Sequence, residues 1–146
     1  MSQNPRPSVR VLVVDDFELF RQFVVSTLRE RPELQIIGEA SDGLEAVHKA
    51  EELQPDLIVL DIGLPALNGI EAAKRIHSVV PDAKILFLTQ NNDADVVRAA
   101  LSNGARGYVL KLDANKHLLH AVEAVLQGER FVSVSVNHGD GSPSLG

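Results

Sequence analysis

The chain has 146 residues, 14 basic and 20 acidic, for a formal net charge of −6, with 45% hydrophobic residues and no cysteine. A domain of this size buries roughly 68–70% of its unfolded surface and so needs no disulfide or structural metal to fold. The missing cysteines exclude disulfide frameworks, thiol nucleophiles, thiolate zinc sites and iron–sulfur clusters. The acidic balance disfavours direct binding to a phosphate backbone, and one Tyr, five Phe and no Trp leave little for stacking bases or sugars. No apolar run approaches the roughly 18 residues of a membrane span. The N-terminal Met-Ser-Gln-Asn-Pro-Arg-Pro-Ser lacks the apolar core of a signal peptide. The expectation is a cytoplasmic domain with no membrane partner.

Residues 1–8, with two prolines and no periodicity, read as a disordered lead. Residues 9–14 form an almost continuous apolar run that suits a strand covered on both faces. Helical spacing over 17–31 places Phe20, Phe23, Val24, Thr27 and Leu28 on one face, and Pro32 closes the stretch. Residues 34–40 read as an edge strand. The helical segment 43–53 stops at Gln54-Pro55, because the residue before proline avoids the α region. Three more rounds follow. Run 57–60 ends at Asp61 and helix 70–80 exits at Pro81-Asp82. Run 85–88 ends at Thr89 and helix 94–103 closes at Gly104. Run 107–110 ends at Lys111 and helix 114–126 stops at Gly128, with Asp113 a candidate cap. This is a (βα)5 alternation, an α/β pattern whose right-handed crossovers give an open, doubly wound, five-stranded parallel sheet. The domain spans 9–127, and 128–146 reads as a mostly flexible extension or linker.

The polar residues gather at the ends of those runs. In an open parallel sheet the carboxyl ends of the strands share one edge, where ligands bind. Asp15, Asp16, Asp61, Thr89 and Lys111 therefore converge on one crevice. Three close carboxylates stay ionised together only if a cation joins them. The donors are all oxygen, so a hard cation such as Mg²⁺ fits better than zinc or copper. A carboxylate beside Mg²⁺, an ammonium and a hydroxyl is arranged to attack phosphorus and steady its equatorial oxygens.

Val14-Asp15-Asp16, Asp61-Ile-Gly-Leu-Pro65-Ala-Leu-Asn-Gly69-Ile-Glu71, Leu88-Thr89 and Gly107-Tyr108-Val-Leu-Lys111 occur in that order over residues 9–126. The set resembles the receiver domain of two-component response regulators, a flavodoxin-like fold with strand order 2-1-3-4-5. The resemblance implies that Asp61 accepts a phosphoryl group from a histidine kinase or phosphotransfer protein. It implies Mg²⁺ held by Asp16, by Asp15 through water, by Asp61 and by the Gly63 carbonyl. Lys111 contacts the phosphoryl group, Thr89 moves to bond it, and Tyr108 switches inward as Thr89 moves. The ending Val125-Leu-Gln-Gly-Glu-Arg-Phe-Val-Ser is similar to receivers fused to LuxR-type helix-turn-helix domains, which form homodimers and reach DNA through that output domain. Only 15 residues follow Phe131, too few for such a module. Leu112 stands where many receivers have proline, and Gln90 replaces a small residue, which bears on access to the phosphoryl group.

Other readings compete. An Asp-Asp pair after a strand is by itself a turn or helix cap, and Asp16 could cap the helix from Phe17. His117 and His120 lie three apart on the last helix and read as a solvated or interface face. A phosphohydrolase similar to the haloacid dehalogenases needs an acid two residues after the nucleophile, where Gly63 stands. A dinucleotide fold needs a Gly-rich first turn, where Asp15-Asp16-Phe17 stands. An unphosphorylated interaction module remains the main alternative.

Overall fold

The computed structural model describes residues 8–133. The lead at 1–7 and the end of the extension, 134–146, lie outside the described residues. The order is β1 (Val9–Val14), α1 (Glu18–Leu28), β2 (Leu34–Ala40), α2 (Gly43–Leu53), β3 (Leu57–Leu60), α3 (Gly69–Val79), β4 (Lys84–Thr89), α4 (Ala94–Ser102), β5 (Gly107–Leu110), α5 (Ala114–Leu126) and β6 (Phe131–Val132). All strand pairs are parallel, in the order β2-β1-β3-β4-β5-β6. Helices α2, α3 and α4 cover one face, and α1 and α5 the other.

The strands are apolar throughout because both faces are covered. Leu12, Val14, Ile58, Leu60, Ile85 and Phe87 face the core beneath α2–α4. Their neighbours Val11, Val13, Leu57, Val59, Leu86 and Leu88 face the core beneath α1 and α5. Each such fully buried side chain contributes about 1.5–3 kcal/mol relative to exposure. In α1 the buried residues are Val24, Val25 and Leu28, while Phe23 stays more than a third exposed. The inward face is therefore rotated from the one the spacing predicts.

The sheet has six strands, where the sequence reading gave five. After α5 the chain turns at Gly128 and returns along the outer edge of β5. Phe131 N–H donates to the Arg106 carbonyl (3.0 Å) and Ser133 N–H to the Tyr108 carbonyl (3.0 Å). Phe131 packs toward the α1/α5 core and Val132 toward the opposite core. Two alternating residues are too few to leave a period in the sequence, yet they satisfy backbone groups that the edge of β5 would otherwise expose.

Two capping expectations also change. Asp113 occupies the residue before α5 but its side chain caps nothing, because a 3-10 turn over Lys111–Asp113 leads into the helix. Helix α1 begins at Glu18, and Phe17 N–H donates to Asp15 Oδ1 (2.9 Å). The aspartate that closes this turn is Asp15, so Asp16 is left exposed.

The loop from β3 to α3 is held from several sides. Leu64 and Gly69 N–H groups both donate to the Ile62 carbonyl (2.8 and 2.7 Å), and Asn68 caps α3 by accepting from Glu71 N–H (3.0 Å). Gly69 backs directly onto the phosphoacceptor candidate, since a Cβ there would lie 2.0 Å from the Asp61 carbonyl oxygen. Helix propensity favours alanine over glycine by about 0.5–1 kcal/mol, but a clash with backbone outweighs it. Gly69→Ala is expected to lose about 1–3 kcal/mol, read as a lower urea midpoint; an unchanged or higher midpoint would show that the loop yields.

Candidate functional site

Among the described residues, the buried polar or charged side chains are Asp15, Asp61 and Thr89. They stand at the carboxyl ends of β1, β3 and β4, three adjacent strands. Register sets their spacing: Asp15 N–H donates to the Ala40 carbonyl and Asp61 N–H to the Val14 carbonyl. Lys111, from the end of β5, reaches across to both acids, with Nζ 2.8 Å from Asp15 Oδ2 and 3.0 Å from Asp61 Oδ2. The second Asp61 oxygen, Oδ1, accepts from Ile62 N–H (2.7 Å) and from Gly63 N–H (3.3 Å). Both carboxylates are thus oriented from two sides.

Asp15, Asp16 and Asp61 each bring a carboxylate oxygen within 4.8 Å of the other two. They form a donor set of oxygens only, with one exposed member open to solvent, which fits a hard divalent cation that keeps part of its water. Gly63 is exposed and lines the same cleft of about 610 Å³, with nothing near its Cβ direction. Gln90 lines the same cleft and is exposed.

The electrostatics follow from burial. Burial pushes the Asp15 carboxyl above its ordinary value and the Asp61 charge adds to this, against hydrogen bonds from Lys111 and Phe17. Burial works against the Lys111 ammonium as well. Its hydrogen bond to Asp15 and the charge of Asp61 outweigh that cost, so its pKa is raised.

Tyr108 lies inward. Its side chain is fully buried, and its hydroxyl donates to the Asn91 carbonyl (2.6 Å). Asn91 N–H in turn donates to Thr89 Oγ1 (3.3 Å). The start of the β4–α4 loop is therefore tied through one peptide residue to both Thr89 and Tyr108. Three further contacts were not read from the sequence. Arg21 donates from Nη1 to the Asp15 carbonyl (2.8 Å) and pairs with Glu39 (2.8 Å). The Phe20 ring lies under Lys111, 4.7 Å from Nζ to its centroid, a cation–π contact. The Asn91 carbonyl is a backbone acceptor and leaves no side-chain signal.

The geometry and the comparisons agree on the class. The model of the response regulator receiver domain matches residues 11–123, and the chain belongs to that family. It is 37% identical over 131 residues to the transcriptional regulatory protein DegU of Brevibacillus brevis, covering 89% of this chain and 55% of that protein. It is 40% identical over 121 residues to the transcriptional regulatory protein LiaR of Bacillus subtilis, covering 83% and 57%. The crystal structure of a LuxR-family two-component response regulator from Aurantimonas sp. SI85-9A1 superposes with a TM-score of 0.82 at 34% identity, covering 86% of this chain and 90% of that one. The chain spans little more than half the length of the two transcriptional regulators. No helix among the described residues is long and apolar enough to cross a membrane.

Burial raises the Tyr108 hydroxyl from 10.0 to about 12, with the charges of Asp61 and Asp93 adding to it. A folded pKa above the unfolded one contributes stability that is full below the unfolded value and is lost as pH rises through the folded one. Stability is therefore expected to fall between pH 10 and about 12. Tyr108→Phe should lose less over that window than wild type, measured as urea midpoints at its two ends; equal losses would remove Tyr108 as a source.

Proposed function

We propose that this chain is a phosphorylation-dependent switch of a two-component system, with Asp61 as the phosphoacceptor. The observation that carries the reading is the meeting of Asp15, Asp61 and Thr89, the buried polar side chains among the described residues, with Lys111 at one edge of the sheet. An Asp61 carboxylate oxygen attacks the phosphorus of a phosphohistidine on a histidine kinase or phosphotransfer protein. The P–N bond breaks, the imidazole leaves and takes up a proton, and an acyl phosphate remains. Later attack by water breaks the P–O bond and returns the carboxylate and inorganic phosphate, so the domain assists its own reset without acting on a separate substrate.

Asp16, Asp61, the Gly63 carbonyl and, through water, Asp15 would hold Mg²⁺, which when bound neutralises charge building on the phosphoryl oxygens. Lys111 clamps one phosphoryl oxygen by charge-assisted contact, and the Thr89 hydroxyl donates to another. Thr89 and Tyr108 are both bonded to Asn91, so drawing Thr89 toward the phosphoryl group favours the buried arrangement of Tyr108. Phosphorylation shifts this equilibrium by the difference in its interactions with the two states. The altered surface then controls a transcriptional output domain or a homodimer in the cytoplasm. DNA is reached through that output domain.

Intact mass after incubation with acetyl phosphate tests the chemistry. Wild type with Mg²⁺ is expected to gain about 80 Da, the mass of one phosphoryl group on a carboxylate nucleophile. Chelation of the metal and Asp61→Asn should each abolish the gain. No gain from acetyl phosphate or from a phosphohistidine donor would move the reading to an interaction module.

The donor must dock around the mouth, where Phe17 and Leu112 are 60% and 90% exposed and share a groove with Phe20. Leu112→Asp should slow transfer from a phosphorylated kinase roughly tenfold or more, since each 1.4 kcal/mol of lost docking is a factor of ten. It should leave labelling by acetyl phosphate unchanged. Equal slowing with both donors would place Leu112 in the chemistry instead.

A further inference from the structure

The opposite edge of the sheet carries a second charged cluster. A cleft of about 390 Å³ there is lined by His77, Asp82, Lys84, Gly104, Arg106 and Arg130. Lys84 opens β4, Arg106 immediately precedes β5 and Arg130 immediately precedes β6. Gly107 pairs with Phe131, and Phe131 N–H donates to the Arg106 carbonyl (3.0 Å), so the two arginines enter neighbouring strands side by side. Arg106 N–H donates to the Ile85 carbonyl (2.9 Å), which brings Lys84 to the same edge.

Three cations here face one carboxylate, Asp82. None of the three makes an ion pair or side-chain hydrogen bond with another described residue, as is also true of Arg29, Arg75 and Lys116, but only these three gather on one cleft. Like charges opposite one another on adjacent strands are destabilising, and this chain has acids to spare. The carbonyl ends of α3 and α4 lie on this edge and favour a nearby cation. That favours basic side chains on this edge in general, but it does not call for two arginines in register. His77 forms part of the wall, with Nδ1 buried and without a hydrogen-bond partner. Its ring stands against Gly104, where a Cβ would lie 3.1 Å from Nε2.

We propose that this cleft binds the phosphate group of a small molecule. Two guanidinium forks and one ammonium match a group with two or more negative charges and several acceptor oxygens, the geometry in which arginine binds phosphate. The volume sits near the lower end of small-molecule sites, roughly 300–1,000 Å³, which suits a phosphate with a modest attached group better than a polymer. The site is independent of the Asp61 chemistry, lying at the other end of the strands.

The test is a nitrogen-15 amide titration with inorganic pyrophosphate and, separately, with ATP. It is run in EDTA at about 0.15 M salt, so that phosphoryl transfer to Asp61 is off. Saturable shifts are expected at the amides of Lys84, Arg106, Gly107 and Phe131, with the Asp61 and Lys111 amides unmoved. Arg106→Gln and Arg130→Gln should each weaken binding about tenfold, one charge-assisted contact apiece. Both side chains are exposed, and an unchanged circular dichroism spectrum and thermal midpoint verify the fold. Tighter binding of ATP assigns a nucleotide, and equal binding assigns free polyphosphate. The proposal is overturned by the absence of saturation at about 1 mM or by undiminished binding in both variants. It is also overturned by shifts that NaCl alone reproduces, or by shifts from a polyglutamate peptide but from neither phosphate compound.

Discussion

One ammonium group holds the working edge of this domain together. Lys111 comes from the end of β5 and bonds acids at the ends of β1 and β3, so that a single side chain ties three strand termini across the width of the sheet. Two carboxylates buried side by side repel each other and resist ionisation. The ammonium offsets that repulsion by bonding both, while burial still holds the Asp15 carboxyl above its ordinary value. Such a pair is expensive to desolvate and yields little net stability, yet removing one partner costs roughly 3–5 kcal/mol because the other charge is left uncompensated. The Phe20 ring beneath Nζ joins α1 to the same centre. The edge is thus arranged for chemistry at some cost to stability, and the two apolar cores supply the difference.

Rigidity and freedom are divided between two loops. The β3–α3 loop is pinned by backbone hydrogen bonds to Ile62 and by the contact between Gly69 and the Asp61 carbonyl, which fixes where Asp61 points. The β4–α4 loop is tied chiefly through Asn91, whose N–H reaches Thr89 and whose carbonyl receives Tyr108. A single residue thus bridges Thr89 at the cleft and a ring in the core beneath α4.

Much of this was legible in the sequence. Apolar runs closed by Asp15, Asp61, Thr89 and Lys111 needed only the rule that parallel strands share a carboxyl edge. The alternation of runs and helical spacing gave the elements from β1 to α5, each long enough to show its period, and the family resemblance implied their order in the sheet. What escaped was of two kinds. Some features depend on backbone groups, such as the Asn91 carbonyl and the pairing of β6, and carry no side-chain signature. Others depend on three-dimensional register, such as Arg21 on the Asp15 carbonyl, Phe20 under Lys111, and the choice between Asp15 and Asp16 at the first turn. The rotated face of α1 belongs with these, because the spacing alone does not decide whether Phe23 or Val25 turns inward.

The sixth strand ties the segment after α5 to the strand that carries Tyr108. Because β6 runs parallel to β5, it carries the chain back toward the carboxyl edge, and its last hydrogen bond joins Ser133 N–H to the carbonyl of Tyr108. The end of the described chain is therefore anchored on the backbone of Tyr108, whose hydroxyl meets the same residue, Asn91, as Thr89 does. Loosening the hydrogen bonds from Phe131 and Ser133 would release the segment through Ser133 from β5 while leaving every bond to the Asp61 carboxylate in place.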